Sequence, residues 1–198
     1  MKHLVQTLVM SLMLGLSGIA WADLATAPAG KYALEKTHAY ISFSYSHLGF
    51  SNPHLGFNAF DVELDLDNEN PTNSQLSVEI TAASIDSRLE EFNEHLNGPD
   101  FFDTAKYPEI AFTSKEIKST GDNTFDITGD LVMKGQAHPV TFAATINKVG
   151  KNPFKGLDMI GVSAEAKILR SQWGLGKYAP GVSDEVTITV DVEMMHQE

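Results

Sequence analysis

The sequence predicts an all-β, antiparallel fold of about eight strands with one short amphipathic helix. Three observations lead there. Apolar and polar residues alternate with period two over most of the chain, which gives each strand one dry and one wet face. The separators between alternating runs have turn chemistry, and only one stretch, around residues 88–97, switches to helical spacing. One-faced strands in this number close into a barrel or stack as a sandwich. A dry face on every strand and a single helix to cap an end favour the barrel.

The first 22 residues read as an export leader rather than as part of the fold. Lys2 gives a positive start, residues 4–16 are an apolar run, and Ala20-Trp21-Ala22 is a small-x-small cleavage site. Cleavage after Ala22 makes the expected location periplasmic. No later segment approaches the ~20 apolar residues of a transmembrane span. Removing 22 of 198 residues leaves 176, enough for one domain, residues 23–198, with a substantial core. Cysteine is absent, so in an oxidising compartment the fold rests on burial alone. Lys2 is the only charged residue of the leader, and its loss takes the net charge from −12 to −13. Such an acidic chain repels phosphate backbones and anionic membrane surfaces, which argues against nucleic acid as a partner.

The strands then follow in order. After a short Ala/Pro lead-in at residues 25–30, Ile41, Phe43, Tyr45 and His47 alternate with serines. Phe60, Val62, Leu64 and Leu66 alternate with Asp61, Glu63, Asp65 and Asp67, and Leu76, Val78 and Ile80 continue the pattern. At Ser87 the spacing changes. Ser87 and Glu90 form a capping-box pair, Leu89, Phe92 and Leu96 share a face, and Gly98-Pro99 supplies a left-handed cap and a stop. Phe101 and Phe102 make a greasy hinge behind this helix. Strands resume with Ile110 and Phe112, then Phe125, Ile127, Leu131 and Met133, then Val140, Phe142, Ala144 and Ile146. Ile160, Val162, Ala164, Ala166 and Ile168 form the next run, and Val186 to Met194 the last. Gly121-Asp122-Asn123 and Lys134-Gly135 suit tight turns, while residues 150–156 and 174–183 are irregular loops.

An eight-stranded barrel is just wide enough to be filled by side chains or to hold one small ligand. The aromatic residues Phe43, Phe60, Phe112 and Phe142 serve either purpose. Ala144, Ala164 and Ala166 leave space where a filled barrel would want Leu or Val.

Several motifs in order resemble the YceI-like family of polyisoprenoid-binding proteins. They are His38-Ala39-Tyr40-Ile41-Ser42-Phe43 with His47-Leu48-Gly49-Phe50, and Asp100-Phe101-Phe102-Asp103 with Tyr107-Pro108 and Phe112-Thr113-Ser114. Later landmarks are Ile127-Thr128-Gly129-Asp130-Leu131, Lys134-Gly135, and Arg170 with Trp173-Gly174. The chain departs from the family's usual Asp at Glu35 and its usual Ser at Ala39. The resemblance implies a lipocalin-like, eight-stranded barrel, exported, holding a long isoprenoid chain such as a polyprenyl phosphate or isoprenoid quinone. Its usual partners are other lipid-handling or quinone-using envelope components.

The expected lumen residues are Ile41, Phe43, Tyr45, Phe60, Val62, Leu64, Phe92, Leu96, Phe101, Phe102, Ile110, Phe112, Phe142, Ala144, Ala164 and Trp173. His47, Arg170 and Tyr178 are the expected mouth residues for a head group. The bound lipid is expected as ligand, with no cofactor. A homodimer is compatible with an exposed edge or an apolar mouth. No catalytic constellation is present: there is no G-x-S-x-G elbow, no cysteine nucleophile and no glycine-rich phosphate loop. The histidines lack H-E-x-x-H and H-x-H spacing, and a metal reading would need His47 and His54 to meet across a loop. An enzyme acting on the lipid, and a filled-core interaction module, are the alternatives to a carrier.

Overall fold

Alternation makes strands, and here their pairing goes all the way round. The computed structural model describes residues 24–197, so the expected leader lies outside the described residues. Eleven strand segments form eight staves, three of them broken. β1 (Gly30–Leu34) and β2 (Tyr40–Ser44) run along one stave, interrupted by a 3-10 turn at Lys36–His38. β3 (His54–Phe57) and β4 (Phe60–Leu66) share the next, broken at Asn58-Ala59. β5 (Gln75–Thr81) and β6 (Ile85–Asp86) share the third, broken by a 3-10 turn at Ala82–Ser84. The rest are β7 (Glu109–Gly121), β8 (Thr124–Met133), β9 (Gln136–Lys151), β10 (Asp158–Leu169) and β11 (Glu185–His196).

All neighbours are antiparallel, and β11 closes the ring by pairing with both halves of the first stave. Leu34 lies opposite Met194, and Phe43 opposite Ile188. The eight-stranded closed barrel expected from the sequence is the fold. The breaks lie side by side, and Glu35 organises the first of them. Its carboxylate accepts from the Thr37 and His38 amides at 3.1 Å and from the Thr37 hydroxyl at 2.6 Å.

Alternation puts Val62 and Leu66 of β4 in the interior and Asp61, Glu63 and Asp65 outside. β7 keeps its apolar residues inside only because a bulge between Ser114 and Glu116 shifts the phase, so Ile110, Phe112 and Ile117 are all buried. Beside that bulge Gly129 of β8 has no alternative. A Cβ there would stand 2.2 Å from the Thr113 carbonyl oxygen and 2.7 Å from the Phe112 ring. Lys134 (φ 49°) and Gly135 (φ 70°) make the β8–β9 connection a two-residue turn with both residues left-handed.

The helix α1 (Glu90–Asn97) begins two residues later than the sequence predicts. Leu89, not Ser87, occupies the N-cap position, and no side chain caps it. The Ser87–Glu90 capping box does not form. Asn93 takes over, accepting at 2.7 Å from both the Ser87 amide and the Ser87 hydroxyl. Leu89 is exposed rather than on the buried face. Gly98 is not left-handed: at φ −69°, ψ 170° the chain leaves the helix extended, and Pro99 prevents its continuation.

Each end of the barrel has its own closure. One, the helix mouth, gathers α1, residues 98–108, the β8–β9 turn, the β2–β3 loop and a strap, residues 170–184, joining β10 to β11. The other, the far end, gathers the N-terminal 3-10 turn Leu24–Thr26, the β4–β5 link, the β7–β8 turn and the β9–β10 loop.

Candidate functional site

The inward side chains of the staves enclose an apolar cavity of about 360 Å³ that reaches from the helix mouth to the far end. Its volume falls in the range of small-molecule sites. A filled-core module has no such space. Of the expected lumen residues, Ile41, Phe43, Tyr45, Val62, Leu64, Ile110, Phe112, Phe142, Ala144 and Ala164 lie along the cavity wall, and Phe92, Leu96, Phe101 and Phe102 line its helix end. Ala144 and Ala164 are register partners on β9 and β10, so their small side chains leave room at one level. Ala166 is buried but lies off the cavity.

Two expected lumen residues do not line it. Trp173 is fully buried in the core, its indole N–H donating to the Leu131 carbonyl at 3.1 Å and its ring edge-on to His138. Phe60 starts β4 directly after the break at Asn58-Ala59, and its ring packs among core residues away from the cavity. Leu24, Met194, His95, Leu175 and Val182 line it unexpectedly. His95 follows Phe92 by three residues on the same helical face, a spacing that could have marked it.

His47, Arg170 and Tyr178 all reach the mouth, but Arg170 is not free for a head group. It is buried, and its guanidinium is a clasp for the strap. Nε donates to the Ser183 carbonyl at 2.8 Å, Nη2 to those of Lys177 at 3.0 Å and Val182 at 2.9 Å, and Nη1 to that of Leu175. Nor does it take up a surface carboxylate, because Asp184 binds the Ser171 amide and hydroxyl instead. Burial works against the Arg170 charge, partly offset by Asp184 and Tyr45. Burial likewise pushes the Tyr45 phenol up, with Arg170 opposing. Tyr45 lines the mouth end of the cavity beside Arg170, and its hydroxyl makes no hydrogen bond to another described residue.

The strap is latched to the segment behind α1. Lys177 pairs with Asp100, and Tyr178 packs on Phe101 at 6.3 Å between ring centroids. Lys177 holds the Asp100 carboxyl below its ordinary range. His95 stacks with Phe92 and meets Phe101 edge-on at 4.9 Å. Beneath, Phe102 packs on Phe43 and Phe57. The mouth is thus an aromatic layer with an ion pair across it.

Among the described residues, Glu35, His38 and Glu193 are the group whose donors converge as metal ligands would. His38 Nδ1 lies 3.0 Å from Glu35 and 3.9 Å from Glu193, and Lys155 Nζ is 3.3 Å from Glu35. Hydrogen bonds and the Lys155 ammonium already satisfy Glu35, whose carboxyl is pulled down to about 2, chiefly by Thr37. The cluster braces the break in the first stave. No helix among the described residues is long and apolar enough to cross a membrane.

The family profile described as YceI-like domain matches residues 32–194. A UPF0312 protein of Pseudomonas putida is 37% identical over 179 residues, covering 89% of this chain and 91% of its own. Protein YceI of Escherichia coli is 35% identical over 189 residues, covering 92% and 98%. Among solved structures, Burkholderia cenocepacia BcnA superposes with a TM-score of 0.72 at 24% identity, over 81% of this chain and 98% of that one. A polyisoprenoid-binding domain from Saccharophagus degradans gives 0.64 at 13% identity, over 84% and 98%.

Proposed function

We propose that this chain, which belongs to the YceI-like family, is an exported binding protein that takes the hydrocarbon chain of an isoprenoid lipid into its lumen. One observation carries this reading. The side chains lining the cavity that can ionise are Tyr45, His47, His95, Arg170 and Tyr178, and all of them stand at the helix mouth. Past them the wall is almost wholly aliphatic and aromatic. A polar head at that mouth and a long apolar tail along the barrel match this distribution, and the structural neighbour from Saccharophagus degradans has a polyisoprenoid as its ligand class. Each methylene removed from water contributes about 0.8 kcal/mol, so burial of the tail sets affinity. Storage, protection or delivery of the lipid follows from such binding, with a quinone-using or lipid-handling envelope component as the exchange partner. The leader at residues 1–22 supports a periplasmic location.

The head group is best read as neutral, a quinone in preference to a pyrophosphate. The net charge is strongly negative, the Arg170 guanidinium is committed to backbone carbonyls, and Lys177 is held by Asp100. The Tyr45 hydroxyl can donate to a quinone carbonyl. Binding rather than catalysis fits a mouth whose strongest groups are already engaged. Solvent extraction of the protein purified from the cell envelope, followed by mass spectrometry, tests both levels. An isoprenoid quinone in the extract is the expected result. An extract dominated by polyprenyl pyrophosphate overturns the head-group reading, and protein that carries and takes up no isoprenoid overturns the function.

A further inference from the structure

The far end of the lumen is closed by a segment that the alternating pattern does not account for. Residues 24–29 lead into β1, yet their 3-10 turn touches β9, which stands three staves from β1 around the ring. The segment therefore crosses the opening instead of following its rim. It is fixed at several points. The Ala27 amide donates to the Leu24 carbonyl at 3.0 Å, Asn68 Nδ2 of the β4–β5 link donates to the Ala27 carbonyl at 2.8 Å, and the Tyr32 hydroxyl donates to the Pro28 carbonyl at 2.8 Å. Ala27 is buried, and Leu24, only 8% exposed, lines the cavity and packs in one cluster with Leu66, Val192 and Met194.

We propose that this turn is an end-stop, with the Leu24 side chain at its tip, that fixes how long an isoprenoid chain the barrel accepts. The inference rests on the lipid-binding reading. A chain entering from the helix mouth buries one methylene after another until it meets Leu24. Beyond that length, added carbons must fold back or remain outside, and affinity stops rising. The polar end of the lumen then answers for the head group and the N-terminal turn for the tail.

The test is competitive loading. Wild-type protein, Leu24→Ala and Leu24→Trp are stripped of lipid, incubated with an equimolar series of isoprenoid alcohols of graded length, re-purified and extracted, and the bound homologues are measured by mass spectrometry. Each further methylene enclosed is worth about fourfold in affinity. Leu24→Ala should therefore enrich the next longer homologue over the wild-type optimum on the order of tenfold, and Leu24→Trp should shift the profile to shorter chains. Asn68→Ala, which unties the turn without touching Leu24, should move it in the same direction as Leu24→Ala. A length profile identical in wild type and all variants overturns the end-stop while leaving lipid binding intact. Failure of the wild type to load any homologue overturns both.

Discussion

The two ends of this barrel close by opposite means. At the helix mouth the closure is assembled from separate loops held by side chains: an aromatic layer, the Asp100–Lys177 pair and the Arg170 clasp. Of the six described non-glycine residues with positive φ, five are here: Leu48, Arg88, Asp103, Lys134 and Tyr178. Such backbone conformations are held against local preference by what surrounds them. At the far end the β7–β8 connection is tight, Asn123 is the one described non-glycine residue with positive φ, and a six-residue segment tied by hydrogen bonds crosses an aliphatic opening. A closure built from several latched pieces can open without unfolding the wall. A short segment that runs directly into β1 and is pinned by Asn68 and Tyr32 has no such separable pieces, so the proposed function places exchange at the mouth and the proposed end-stop at the far end.

Four measurements test that contrast. The largest effect is expected from Phe102→Asp, which places a carboxylate against Phe43 and Phe57. It should cost roughly 3–5 kcal/mol in urea denaturation and abolish ligand retention. Phe154→Asp at the far end, where the ring is 95% exposed, should stay within about 0.5 kcal/mol. Similar losses from the two would remove the distinction. Next, Arg170→Met leaves four strap carbonyls without their donor, at a cost of about 3 kcal/mol or more. Hydrogen exchange should accelerate across residues 175–183 and stay unchanged across residues 24–34.

A smaller effect comes from the wall between the ends. The Glu35 carboxyl is lowered to about 2 from an ordinary value of 4.5. The unfolded chain therefore binds the proton first, and this contribution is complete above about pH 4.5 and is lost as pH falls through 2. Glu35→Gln should lower Tm at neutral pH, and the gap to wild type should close in that window; a constant gap would refute the assignment. The smallest change is expected from Asp100→Asn, which should leave Tm unaltered yet quicken ligand release. In the wild type, release should speed up with added salt as the Asp100–Lys177 pair is screened, and the variant should lose that dependence.

Much of this architecture is legible in the sequence because period two is a direct record of which face is dry. The staves, the hairpins and most of the wall follow from it, and Ala144 and Ala164 announce the space between them. Features missed depend on partners distant in sequence. Ser87 and Glu90 have the spacing of a capping box, but Asn93 competes for Ser87 and the helix starts later. Arg170 looks like a mouth cation until the strap folds over it and offers four carbonyls. Trp173 carries no pattern to show on which side of the wall it falls. Leu24 sits next to an unremarkable Ala/Pro stretch, and only the ring order reveals that this stretch spans the opening.

The Ala144–Ala164 level has a thermodynamic corollary. A ligand that fills the 360 Å³ cavity gains packing worth on the order of 9 kcal/mol at about 24 cal/mol per Å³, comparable with the whole stability of an ordinary domain. With no disulfide to compensate, the guest serves as a detachable part of the hydrophobic interior. On the proposed reading, Tm should rise with the fraction of molecules that hold a ligand, as a melting curve taken before and after solvent extraction would show.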